Sequence, residues 1–171
     1  MLEYDNLQKA LEVFRDKVVR DARRSLKQQK KISSGRLYNS IQGSPVKVTD
    51  KSMQFNISME DYGTYIDKGV SGVIKKYNTP YSYKDKMPPP SSLDSWMVRK
   101  GVAPRDIKGR FIPRKTLQFL IARSIYQNGL KPSLFFTKPF EKHYKGLPEV
   151  LEKAFELDVD EFIDFVTKQN F

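Results

Sequence analysis

Leu7, Leu11, Phe14, Val18, Ala22 and Leu26 recur at three- and four-residue spacing. An α-helix returns to the same face at that period, so the chain from about Tyr4 to Lys30 is predicted to form one long amphipathic helix. Such a helix is stable in water only when its apolar stripe is covered. Its other faces carry Arg15, Lys17, Arg20, Arg23, Arg24, Lys27, Lys30 and Lys31. A second long helix is predicted from Leu147-Pro148 onward, with the proline in its first turn. Val150, Leu151, Ala154, Phe155, Val159, Phe162, Ile163 and Val166 give it a wide apolar stripe.

Between the two, Ser33-Ser34-Gly35 breaks the first helix, and Ser34 is placed to cap a short one through Leu37 and Ile41. Val46 and Val48 alternate, as do Phe55, Ile57 and Met59, and Thr49-Asp50-Lys51-Ser52 suits a hairpin loop; an antiparallel strand pair follows. Glu60 to Lys68 reads as a short helix or an extended edge, ending at Gly69. Leu117, Leu120, Ile121, Ser124 and Ile125 line one face of a helix from Arg114, with Asn128-Gly129 as its stop. Leu134-Phe135-Phe136, between Pro132 and Pro139, reads as a strand or extended bridge.

Residues 70–113 are the least regular part and hold six of the ten prolines. They also carry Lys75, Lys76, Lys84, Lys86, Arg99, Lys100, Arg105, Lys108 and Arg110. A Pro- and Lys-rich stretch of this length is expected as a functional loop or insertion. Ser92 to Val98 suits a short helix, and Lys108-Gly109 a tight turn. The fold class expected is α+β: long N- and C-terminal helices packed on a short antiparallel sheet. A single domain over residues 1–171 would carry the insertion at 70–113.

The 171 residues have a formal net charge of +11 and a pI near 9.7. The segment 141–171 has eight acids against four bases, a net of −4, which leaves +15 on residues 1–140. A basic body of this kind points to a polyanionic partner, either nucleic acid or an acidic protein surface. The asymmetry is either a solvated surface or a means for copies to meet head to tail, or to stack between unlike neighbours, through opposite fields. The absence of cysteine excludes disulfide scaffolds, zinc ribbons and thiol catalysis. No apolar run approaches a membrane span, and the first residues, with Glu3 and Asp5, do not read as a signal peptide. A soluble, basic protein made inside the cell is expected, with no membrane partner.

Catalytic constellations are not found. His143 is the single histidine and reads as a surface or interface residue. Asp158, Asp160, Glu161 and Asp164 offer Mg²⁺ ligands on paper, but helical spacing makes them an exposed acidic face. No phosphate-binding glycine loop is present. No catalytic, cofactor or metal residue is therefore assigned. Lys75, Lys76 and Lys84 interleave with Tyr77, Tyr81 and Tyr83, as where rings stack on bases and lysines meet phosphates, or where tyrosines pack at a subunit boundary. Candidate DNA or partner contacts are Arg20, Arg23, Arg24, Lys27 and the nine cations of 70–113.

Three segments in order resemble the phage neck family of head–tail joining or tail-completion proteins. Ser34-Gly35-Arg36-Leu37-Tyr38-Asn39-Ser40-Ile41 is similar to the family's T/S-G-x-L-x-x-S-I element after a long first helix. Tyr62-Gly63-Thr64-Tyr65-Ile66-Asp67-Lys68-Gly69 resembles its Y-a-x-y-v-e-x-G segment, departing at Gly63 and Lys68. Ile125 to Phe140 is similar to a helix closing in glycine followed by P-F-L-x-P-A. The likeness does not extend to 70–113.

The resemblance implies a virion subunit assembled in the host cytoplasm, in a ring of six or twelve copies below the portal. Its partners would be copies of itself, the portal or an adaptor ring, tail proteins and the genomic DNA passing through the channel. Tyr62, Tyr65, Leu134, Phe135 and Phe136 are then candidate subunit-interface residues, and 70–113 would grip the portal, the next ring or a tail subunit. The rival readings are a non-specific DNA-binding or packaging-accessory protein and a metal-dependent nuclease.

Overall fold

The structure is a computed structural model that describes residues 4–49 and 52–169. The helices are α1 (Asp5–Gln28), α2 (Arg36–Ser40), α3 (Gly63–Lys68), α4 (Asp94–Lys100), α5 (Arg114–Asn128), α6 (Thr137–Tyr144) and α7 (Leu147–Gln169). The strands are β1 (Gln42–Gly43), β2 (Lys47–Thr49), β3 (Ser52–Gln54) and β4 (Ile57–Ser58), and a 3₁₀ turn at Pro90–Leu93 precedes α4. The α+β class and the long terminal helices are present as expected. Among the described residues no helix is long and apolar enough to cross a membrane.

The chain divides into two compact units. One draws on residues 1–28, 38–59 and 135–171; the other on 29–37 and 60–134. The stretch 70–113 lies within the second unit.

In the first unit α1 buries Phe14, Val18, Ala22 and Leu26, four of the six positions of its apolar stripe. The Phe14 ring meets Phe55 and Phe140 edge-on, at 6.1 and 5.8 Å. The start of α1 is closed from far along the chain. Asp158 on α7, 2% exposed, accepts the backbone N–H groups of Asn6 and Leu7 at 2.8 and 3.0 Å. A carboxylate there satisfies two of the first-turn donors and faces the positive end of the helix dipole. The expectation that Asp158 belongs to an exposed acidic face is corrected; Asp160, Glu161 and Asp164 are exposed.

The strand region is a hairpin in two pieces. β2 pairs with β3 through Lys47↔Gln54, Val48↔Met53 and Thr49↔Ser52, and β1 with β4 through Gln42↔Ser58 and Gly43↔Ile57. Between the pieces Ser44, Pro45 and Val46 face only Phe55 and Asn56, so one extra residue is accommodated as a bulge. Proline has no N–H for a ladder, which makes that bulge a fitting place for Pro45. The bulge also separates the fates of Val46, which is buried, and Val48, which is 47% exposed.

The second unit is tied by a backbone clamp. Val70 and Leu130 exchange N–H···O bonds of 2.9 and 2.7 Å, and Val73 and Ile74 donate to Tyr126 and Gln127 at the end of α5. Gly69 and Gly129 have φ of +74° and +71°, in the left-handed region. A Cβ on Gly69 would lie 2.5 Å from the Leu130 carbonyl, and one on Gly129 would strike that of Val70. Only glycine meets both demands, which explains why both segments end in one.

Leu134-Phe135-Phe136 is neither strand nor extended bridge. Leu134 takes φ +51°, held by its N–H donating to Asp67 O at 2.9 Å, and the chain turns at once into α6. On α5 the buried residues are Gln118 and Ala122, so the inward face is rotated from the predicted one and Leu120 is 45% exposed.

Candidate nucleic-acid interface

Arg20, Arg23, Arg24 and Lys27 are spaced to share one face of α1. In the structure they line a single cleft of about 560 Å³ with Asp16, Val19 and Tyr38. Arg23 is the fixed member. Its guanidinium lies 5.7 Å from the centre of the Tyr38 ring, and Nη2 donates to Ile41 O at 2.7 Å. Its Nε is buried and has no hydrogen-bond partner among the described residues. Arg20 and Arg24, with side chains 61% exposed, reach Asp21 at 3.4 and 3.5 Å.

Asp21 is the anchor of this charge cluster. His143 Nε2 lies 2.9 Å from its other carboxylate oxygen, and both side chains are largely enclosed. Burial pushes the Asp21 carboxyl up, but the hydrogen bonds from His143 and Arg20 outweigh it and hold the group below the usual carboxylate range. His143, read in the sequence as a surface or interface residue, is half-buried and pairs with the half-buried Asp21 carboxylate. Beside the cleft, Arg15 spans Asp16 at 2.8 Å and Ser44 O at 2.8 Å, its stem passing where a Cβ on Gly43 would stand. Cations on one face, three of them exposed and one locked, suit phosphate oxygens and carry no base-reading geometry.

Several cations of the second unit bond within that unit. Lys76 Nζ donates to Gly72 O at 2.8 Å, Arg99 Nε to Ser33 Oγ at 3.0 Å and Lys100 Nζ to Ile32 O at 3.1 Å. Arg105 lies 3.9 Å over the Phe111 ring, while Arg110 pairs with Asp106 at 3.0 Å; together they build the turn that also holds Lys108. Lys75 sits 5.6 Å over Tyr77. Lys84 and Lys86 are exposed. Two of the tyrosines read either as base platforms or as packing residues meet other rings of the same unit: Tyr81 meets Tyr65 at 4.6 Å, Tyr83 meets Tyr126 edge-on at 6.2 Å. Burial raises the Tyr83 hydroxyl above its usual value.

Of the candidate interface residues, Tyr62 and Tyr65 are 38% and 46% exposed. Leu134 and Phe136 are half-buried, with Phe136 stacked on Phe140 at 6.0 Å. Phe135 is fully enclosed in its own chain and belongs to the core, so it offers no surface to a neighbour. Among the described residues no three His, Asp or Glu side chains gather as metal ligands would.

Sequence reasoning missed Tyr38 and Asp21. Asp21 had a local signal, one position from Arg20 and three from Arg24; Tyr38 had none. No family model, curated protein or solved structure matches the chain.

Proposed function

We propose that this chain is a structural, non-catalytic subunit of a phage neck, one of six or twelve copies in a ring that joins portal to tail and lines the DNA channel. The observation that carries the reading is the meeting of two of the three resembling segments. Gly69, closing the second, abuts Leu130 and Pro132 of the third, and Ser133 Oγ donates to Ile66 O at 2.6 Å. The two segments thus serve one scaffold, which supports a structural role for them.

The α1 cleft supplies the contact to genomic DNA in this reading, through phosphates and without base preference. The same cleft favours the second reading, a non-specific DNA-binding or packaging-accessory protein. Disruption of the gene separates them. A neck subunit leaves DNA-filled heads and free tails that do not join; normal joined particles without the protein would refute it. A packaging accessory leaves empty heads.

A further inference from the structure

Phe155, Val159, Phe162, Ile163 and Val166 follow one another at helical spacing along one side of α7. That side is partly open: Phe155 is 46%, Ile163 53% and Val166 38% exposed, while Val159 and Phe162 are half-buried and the Phe155 ring stacks on Tyr4 at 6.4 Å. α7 continues for eleven residues beyond Asp158, the side chain that closes the start of α1. Alongside this stripe run Glu152, Glu156 and Asp160, and α7 as a whole has seven carboxylates against two lysines. An apolar stripe with an acidic border has the form of a helix made to lie in a groove.

A groove of the opposite character exists on the second unit. Val98, Val102, Phe111, Ile112, Leu117 and Arg114 help line a concavity of about 330 Å³, with Val98 61% and Phe111 63% exposed. Residues 94–115 around it carry seven cations and two acids, with Arg114 paired to Asp94 at 2.7 Å. One wall is a stiff turn. Arg105 bridges to Phe111, and the Asp106 carboxylate accepts the amides of Lys108 and Arg110 at 2.9 and 2.8 Å. Its apex presents Ile107, fully exposed.

We infer that the outer side of α7 in one copy seats in the Val98–Phe111–Leu117 groove of a second copy, head to tail. The occupant is identified by charge. The one strongly acidic element of this chain is apolar along one side, and the basic groove is apolar at its floor. Apolar contact supplies the affinity, while the opposite fields orient the approach and reject the reverse pairing. Two different faces meet, so a docked pair keeps one of each unused, and the contact propagates until a ring closes. This rests on the ring reading and deepens it by naming the two surfaces.

The chain has no cysteine, so the contact can be trapped without background. Full-length Ile163→Cys and Val98→Cys proteins are mixed under mild oxidation, and disulfide dimers are counted against each protein alone. The inference expects the mixed dimer to form at least about tenfold faster than either like-with-like dimer. Adding Glu156→Lys and Asp160→Lys to the first protein should slow it about tenfold or more. Both residues are exposed, so folding is unaffected, as circular dichroism would verify. A mixed dimer no faster than the like pairs, or indifferent to the charge reversal, overturns the inference. Failure of the trap with the protein present in joined particles would remove this interface and spare the neck reading. A working trap with the protein absent from particles would do the reverse.

Discussion

Replacing Asp158 by alanine tests the account of how α1 begins. The side chain is 2% exposed and accepts two backbone N–H groups at 2.8 and 3.0 Å. A hydrogen bond to a charged group contributes about 1.5–3 kcal/mol, and an N-terminal cap typically about 1 and at most about 2. The two bonds share one carboxylate and one helix end, so they do not add fully. The expected cost is about 2–4 kcal/mol. The direct assay is amide hydrogen exchange at Asn6 and Leu7, which should quicken by about thirtyfold to a thousandfold. Urea unfolding followed by circular dichroism should register the same loss in the first unit. Asp160→Ala, on the same helix but exposed, should stay within about 0.5 kcal/mol of the parent. Equal, small effects from both substitutions would refute the capping argument.

Three further outcomes follow from the structure. Asp21 is held below the usual carboxylate range, so its pairing with His143 and the arginines stabilises the fold above about pH 4 and is lost as pH falls through the lower folded value. The stability gap between the parent and Asp21→Asn should therefore close in acid; a gap equal at pH 7 and at about pH 3 would contradict the pairing. Gly129→Ala forces a Cβ into the left-handed region and against the Val70 carbonyl, and should cost about 3 kcal/mol or more, read as early unfolding of tryptophan fluorescence from Trp96. If the α1 cleft meets DNA, Arg20→Ala with Arg24→Ala should flatten the plot of log K against log salt by about 0.9 for each phosphate that is no longer neutralised; an unchanged slope would move the DNA-binding surface elsewhere.

Sequence alone made the helices legible where one face is buried against a neighbour. The stripe of α1 is buried at Phe14, Val18, Ala22 and Leu26 as its spacing demanded. α7 is helical as predicted, yet of its described residues only Ala154 and Asp158 are buried; periodicity reports an apolar face but not whether anything lies on it. Leu134-Phe135-Phe136 is ambiguous in sequence because short apolar runs fit strands and helix starts alike. The roles of Asp158 and His143 depend on partners 152 and 122 residues away, which no local pattern encodes. The four cations of the α1 cleft were legible because helical spacing puts them together. Those of 70–113 were not, because hydrogen bonding to carbonyls and hydroxyls absorbs Lys76, Arg99 and Lys100.

The copy number of this protein in purified, DNA-filled particles, measured by quantitative mass spectrometry against the portal, tests the neck reading most directly. A stoichiometry equal to the portal's, or half of it, is the result expected of one ring of twelve or six. Absence, or a trace far below one ring, would contradict it and leave the basic cleft of α1 to be explained by DNA binding inside the infected cell.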